Sequence, residues 1–309
     1  MKKKTISTIV SMIIILGGYA YQKGYLGSTN EVHTSQTKVE TLATSQTHTS
    51  SETSESNEVT SNSETSESNE VASNIDTNEY KEIAAKNFTS GSLAYETINQ
   101  NKSTLNANDW QQEKIEYGNL DQLNRTTEVT AYLSKKNLGK SETRSEQIFK
   151  PTGWHNQPRI VAGNRIFPQN RGHLIAYTLS FNIDSNGNYR QGELGSLDNP
   201  KNLATQSEFS NQKTMQVFEG KVRNALSQGK NVIYKVTTVF RDNELMCRGY
   251  WAQAVSTDGT LNFNVYIWNV EPGISFDYAT GMSKVDDTIN VQNVYVGREY
   301  NKTYKSYKK

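Results

Sequence analysis

Apolar and polar positions divide the chain into three stretches of different texture. Thr5 to Tyr21 carries no charge, is centred on Ile-Val-Ser-Met-Ile-Ile-Ile-Leu, and follows Lys2, Lys3 and Lys4. Such a run is long for a signal-peptide core and short for a relaxed membrane span. The bulky tail Gly18-Tyr19-Ala20-Tyr21-Gln22-Lys23 offers no clean small-x-small cleavage site and favours an uncleaved anchor. Under either reading, residues 1–27 keep the three lysines inside and send the rest of the chain out. Residues 28–78 are Ser, Thr, Glu and Asn with few large apolar side chains. The nonapeptide Ser-Glu-Thr-Ser-Glu-Ser-Asn-Glu-Val occurs at 51–59 and again at 63–71. A segment this polar cannot bury enough apolar surface to offset chain entropy, so it is expected to be a disordered spacer. Residues 79–309 have the mixed pattern of one substantial domain, with its core at about 90–285.

Within the domain, the period of the pattern predicts the elements. Gly91 to Leu105 reads as two short strands around a polar turn, and Glu128 to Ser134 alternates as a strand. Ala204 to Gly229 reads as the principal helix. Thr205-x-x-Glu208 is placed as a capping box at its start, Gly229 is placed to end it, and Gly220 inside it costs about 1 kcal/mol. Asn231–Phe240, Gly249–Ser256 and Leu261–Val270 read as three strands, with Asp258-Gly259 as a hairpin turn between the last two. The fold class predicted is α+β, an antiparallel sheet beside one long helix.

Charge and cysteine content refine this outline. The whole chain carries a net charge of +1, but residues 79–309 hold 28 basic and 23 acidic side chains against 5 and 9 in residues 1–78. A mildly basic domain on an acidic stalk permits an anionic substrate without demanding one. Cys247 is the only cysteine, which excludes an internal disulfide and a cysteine-based zinc site.

The candidate chemistry lies around Asn170-Arg171-Gly172-His173. Of four histidines, His33 and His48 fall in the low-complexity tract, and only His155 and His173 fall in foldable sequence. His173 sits beside a guanidinium and before the apolar run Leu174–Tyr177. By itself it can be a hydrogen-bonded core histidine, or a base next to a phosphate-binding cation. Downstream, Asn211, Met215, Glu219 and Arg223 recur every four residues, and on a helix they form one slowly drifting stripe of mixed chemistry.

Taken together, Arg171-Gly172-His173 with Asn202, Asn211, Glu219 and Arg223 resembles the DNA/RNA non-specific endonucleases, a family of the ββα-metal (His-Me finger) superfamily. The stretches PTGWH (151–155), NRGHLIAY (170–177), DNPKNLATQSEFSNQ (198–212), FEGKVRNAL (218–226) and LNFNVYIWNVEPG (261–273) carry the resemblance. Within the family the chain is most similar to the membrane-anchored DNA-uptake nucleases and secreted DNases of Gram-positive cocci. The resemblance implies a ββα-metal fold and hydrolysis of DNA with 5′-phosphate products; it leaves open RNA as a second substrate and the choice between single- and double-stranded DNA. It implies His173 as general base and Asn211 as the one direct protein ligand of Mg²⁺, with Mn²⁺ as an alternative ion. Glu219 would hold water of the metal's shell, Arg171 and Arg223 would stabilise charge on the phosphate, and Asn202 would support the site. It places the enzyme outside the cell, secreted or tethered to the membrane, and no protein partner is evident.

One position departs from the family pattern, which is usually Asp-Arg-Gly-His: this chain has Asn170. Asn keeps an acceptor oxygen and loses the charge. That is the single feature favouring the alternative, a catalytically weak surface protein that binds DNA. Other residues are read as structural: His155, Arg125 as a surface arginine or a further phosphate contact, and Trp251 and Trp268 as core. Trp154 could stack on a base, and the basic tail Arg298–Lys309 could grip phosphates or stay solvated.

Overall fold

Twelve strands and two α-helices organise residues 77–292, the part of the chain that the computed structural model describes. The charge-free N-terminal run, nearly all of the polar tract and the basic C-terminal tail lie outside the described residues. Among the described residues no helix is long and apolar enough to cross a membrane.

The chain enters through α1 (Asn78–Ala85), capped by Thr77, whose side chain accepts from the Tyr80 amide. It continues through β1 (Tyr95–Thr97), β2 (Lys114–Tyr117) and β3 (Glu128–Leu133). Two short hairpin strands follow, β4 (Arg159–Val161) and β5 (Asn164–Ile166), and then β6 (Gln169–His173) and β7 (Leu203–Ser207). A π-helical stretch, Ser210–Met215, runs directly into α2 (Gln216–Ser227). The long strands β8 (Val232–Val239), β9 (Gly249–Ser256) and β10 (Asn262–Trp268) come next, and the small strands β11 (Ile274–Asp277) and β12 (Met282–Val285) last. The main sheet is antiparallel with order β1-β10-β9-β8-β3-β2.

Both faces of the sheet are covered, which explains why β8–β10 are buried almost throughout instead of alternating between core and solvent. On one face Tyr250, Ala252 and Ala254 of β9 and Phe263, Val265 and Ile267 of β10 pack in a cluster with Phe218, Val222 and Leu226 of α2. The Phe218 ring meets Phe263 at 5.3 Å and Tyr95 at 5.2 Å. On the other face Trp251, Tyr266 and Trp268 pack with Ile83 of α1. The period-2 alternation therefore sorts residues between two cores. Trp251 and Trp268 are core residues, as the sequence suggests.

Two predicted elements need correction. Gly91–Leu105 holds only one strand, β1. After it, Asn99, Gln100 and Asn101 all adopt positive φ (46°, 54° and 62°), which turns the chain before a second strand can form. The predicted helix over Ala204–Gly229 is in fact a strand followed by a helix. Thr205 is no cap: it lies in β7, and its hydroxyl donates to the Thr152 carbonyl at 2.8 Å. Helical structure begins where Ser207 Oγ accepts from the Ser210 amide (3.0 Å) and Glu271 Oε2 accepts from the Phe209 amide (2.7 Å). Burial pushes the Glu271 carboxyl up to about 8. At the far end Gly229, at φ 83°, closes the helix as predicted, with its amide on the Leu226 carbonyl.

Candidate active site

β6, β7 and the helix after them form a ββα unit that assembles the candidate site. β6 pairs with β7 in the register Asn170↔Gln206, Gly172↔Ala204 and His173↔Leu203. Gly172 is required by close packing: a Cβ there would lie 2.6 Å from the Gln206 Cβ. Gln206 in turn donates to Ser210 Oγ (3.0 Å), so the packing at Gly172 also sets how near the helix start lies to β6.

Asn202 is fully buried just before β7, and it grips the chain that follows His173. Its Oδ1 accepts from the Ile175 amide at 2.9 Å, its Nδ2 donates to the Ile175 carbonyl at 3.0 Å, and its own carbonyl accepts from the Leu174 amide at 2.9 Å. Asn202 therefore positions His173 from behind and does not reach the cleft. Replacement Asn202→Ala strands two buried backbone groups, and the expected loss is about 2–4 kcal/mol of stability. Urea unfolding measures it, and a loss under about 1 kcal/mol would mean that the Ile175 groups find other partners.

A cleft of about 510 Å³ opens over this unit, lined among others by Asn170, Arg171, His173, Asn211, Gln212 and Glu219. His173 Nε2 lies 2.9 Å from the Leu197 carbonyl. A carbonyl can only accept, so Nε2 carries the hydrogen and Nδ1 is the free acceptor. Burial, reinforced by the positive charge of Arg144, lowers the imidazole to about 4, against the pull of the Leu197 hydrogen bond. Burial pushes the Glu219 carboxyl up to about 7, opposed by Arg223 and Arg144. Both side chains are half-buried, packed by protein on most sides and open to the cleft. The Asn211 amide donates through Nδ2 to Asn170 Oδ1 at 2.9 Å, and Gln212 Nε2 donates to the same oxygen at 2.9 Å.

Arg171 packs its guanidinium over the Trp154 ring, 4.9 Å from the centroid, and donates from Nη1 to the Gln147 carbonyl at 2.7 Å; its Nε has no partner. The arrangement joins a neutral base, a cation, a free amide oxygen and a carboxyl in one polar cleft. This set can deprotonate water beside a phosphodiester and hold a hard cation.

The model of the DNA/RNA non-specific endonuclease family matches residues 101–257, half of the chain, and spans β6, β7 and α2. The chain belongs to this family. Two solved structures of NucA from Streptococcus agalactiae are similar to it. The one with magnesium bound is 30% identical with a TM-score of 0.54, over 62% of this chain and 87% of that one. The one without metal is 27% identical with a TM-score of 0.54, over 69% and 98%. Sda1 nuclease with a bound zinc ion shares the fold, at 20% identity and a TM-score of 0.50 over 62% of this chain and 97% of that one. The protein is thus a nuclease, a hydrolase with the ββα-metal fold.

For this endonuclease the expected stripe on the helix divides. Asn211 and Glu219 line the cleft, but Met215 between them is fully buried in the core, where the Tyr234 hydroxyl meets its sulfur at 3.8 Å. Arg223 is not among the cleft-lining residues: its Nη2 donates to the Thr178 carbonyl at 3.2 Å and to the Thr178 hydroxyl. Its reach into the site is electrostatic, through Glu219. The π-helical turn of Ser210–Met215 departs from the 3.6-residue spacing that the stripe assumes. Arg125 is structural, bonded to Asp121 and to the Asp242 and Glu244 carbonyls. His155 is structural too, with Nε2 2.9 Å from the Thr280 carbonyl.

The sequence pattern missed Arg144, Gln147, Asn156 and Gln216, all of which line the cleft. Arg144 lies in Ser-Glu-Thr-Arg-Ser-Glu, a polar segment with no periodicity to mark it; its guanidinium stands 5.2 Å from the Tyr177 ring centroid. Trp154, read as a base-stacking candidate, lines the cleft and has Arg171 over its ring.

Proposed function

We propose that the protein is a Mg²⁺-dependent, sequence-indifferent endonuclease that hydrolyses extracellular DNA, and RNA as well, to 5′-phosphate products. The observation that carries this reading is the tautomer of His173. With Nε2–H tied to the Leu197 carbonyl, the basic Nδ1 is the nitrogen left for water, in the same cleft as Asn211 and Glu219.

The donor set fits magnesium. Asn211 offers one neutral amide oxygen, and among the described residues no three His, Cys, Asp or Glu side chains gather to hold a metal. Mg²⁺ keeps most of its waters and accepts such a sparse site, whereas zinc sites draw on His and Cys. When bound, Mg²⁺ supplies Lewis-acid stabilisation of the phosphate and the leaving oxygen. Nδ1 of His173 takes the proton of the attacking water. Arg171 and Arg144 hold the phosphate, while Arg223 tunes Glu219 from the side. Asn202 fixes the backbone behind the base. Ionised Glu219 accepts hydrogen bonds from water in the cleft and orients it. These contacts address phosphate, which DNA and RNA share, and so carry no sequence preference.

The N-terminal pattern of residues 1–27 supports export, with the domain secreted or tethered outside the membrane. The test is supercoiled plasmid incubated with the purified protein in Mg²⁺ or in EDTA. Nicking and linearisation only with Mg²⁺ are expected, with ends that polynucleotide kinase labels only after phosphatase treatment. Cleavage unaffected by EDTA, or ends that label directly, would overturn the metal dependence or the product assignment respectively.

A further inference from the structure

We propose that Asn170 is a positioning residue for the metal: its side-chain oxygen holds the Asn211 amide in the one orientation that presents Asn211 Oδ1 to a cation. The inference rests on the reading of Asn211 as the metal ligand. An asparagine amide ends in one oxygen and one nitrogen of nearly equal size, so packing alone does not choose which faces the cleft. Here hydrogen bonding chooses. Asn170 Oδ1 accepts from Asn211 Nδ2 at 2.9 Å, which leaves the Asn211 oxygen as the free end. The same oxygen accepts from Gln212 Nε2 at 2.9 Å, so both of its lone pairs are used and the Asn170 amide is fixed in turn.

The arrangement links the two halves of the ββα unit. Asn170 lies in β6, paired with Gln206 and three residues before His173, while Asn211 and Gln212 lie on the π-helical turn. One side chain on the strand of the base thus sets the ligand on the helix. A rotated Asn211 would offer N–H groups to the cation and lose its only ligating atom. Because Asn170 is neutral, it would orient the ligand without adding charge, and Asn211 would be the residue that holds the metal.

Mn²⁺ binding to the full chain tests this, followed by loss of the sharp electron paramagnetic resonance signal of the free ion and by displacement with Mg²⁺. Asn211→Ala is expected to abolish the site. Asn170→Leu is expected to weaken Mn²⁺ binding by about tenfold or more, the usual effect of losing a residue that orients a ligand. Asn170→Asp is expected to bind at least as tightly as the parent, because a carboxylate can only accept and adds a negative charge. Unfolding curves confirm that each variant is folded, and if Asn170→Leu is not, the near-isosteric Asn170→Asp decides. Unchanged binding by folded Asn170→Leu, with binding lost in Asn211→Ala, would overturn the role of Asn170 alone. Weakening by Asn170→Asp would mean that residue 170 donates instead of accepting, and would overturn it too. Full binding by Asn211→Ala would sink the ligand reading and this inference with it.

Discussion

His173→Ala is expected to slow phosphodiester cleavage by about 10²–10⁴-fold, the range of a lost general base, with affinity for DNA nearly unchanged. The hydrogen-bond partners of the imidazole are backbone groups of the Ser196–Leu197 segment, with the Leu197 carbonyl 2.9 Å from Nε2. Its removal therefore takes away the proton acceptor and leaves Arg171, Arg144 and Asn211 in place to bind substrate. Single-turnover cleavage and gel retardation separate the two quantities, and parallel losses in both would make His173 a structural residue. The pH profile gives a second check. A general base works in its neutral form, so protonation below its pKa removes activity. An ordinary histidine would lose half of its activity at about pH 6.5. Lowered to about 4 by burial, His173 stays competent well below that. Glu219, raised to about 7, titrates first as pH falls, and Mg²⁺ favours its ionised form. At low Mg²⁺ the acid limb is therefore expected near pH 7, moving downward as Mg²⁺ rises. A limb fixed near pH 6.5 at every Mg²⁺ concentration would contradict this order.

The parts of this fold that were legible in the sequence are those decided locally. β9 is found at its predicted residues, and β8 and β10 within one or two, because long apolar runs bracket the Asp258-Gly259 turn. Gly229 marks the helix end because positive φ there is a backbone requirement visible in one residue. β7 was hidden for the opposite reason. Its sequence Leu-Ala-Thr-Gln-Ser tolerates a helix, and only pairing with β6, distant in sequence, makes it a strand. The true caps of the helix that follows are Ser207, seated in that strand, and Glu271, more than sixty residues on. The site divides in the same way. His173, Asn211 and Glu219 were legible from the order and spacing of the motifs that carry the family resemblance, and they do meet in one cleft. The resemblance assigns Arg223 to the phosphate, but here its Nη2 is tied to Thr178 beside the cleft, a contact that only the fold reveals. Arg144 gave no signal, since a lone arginine in a polar loop looks the same whether it faces a cleft or bulk water. Asn170, where the chain departs from the family motif, still accepts hydrogen bonds from Asn211 and Gln212 through its side-chain oxygen, a role that needs an acceptor and not a charge.

Asn211→Ala is expected to reduce cleavage at millimolar Mg²⁺ by about 10²–10⁴-fold and to flatten its dependence on the metal, so that the variant in Mg²⁺ resembles the parent in EDTA. The magnitude follows from the sparseness of the site. Under the proposed reading a single neutral amide oxygen is the direct protein ligand, so no second ligand would hold the ion when that oxygen is gone, and the several kcal/mol of charge stabilisation that the ion would provide goes with it. Mg²⁺ titrations of the cleavage rate distinguish this from loss of the base. His173→Ala should keep a normal Mg²⁺ midpoint at a low maximum rate, whereas Asn211→Ala should lose the midpoint itself. A normal midpoint in Asn211→Ala would show that another group ligates the metal. The double variant sharpens the comparison. Base and metal act on one transition state, so removing both should cost little more than removing the more important of the two. Losses that simply multiply would instead mean that His173 and Asn211 serve separable steps, and that the cleft over the ββα unit does not work as one catalytic centre.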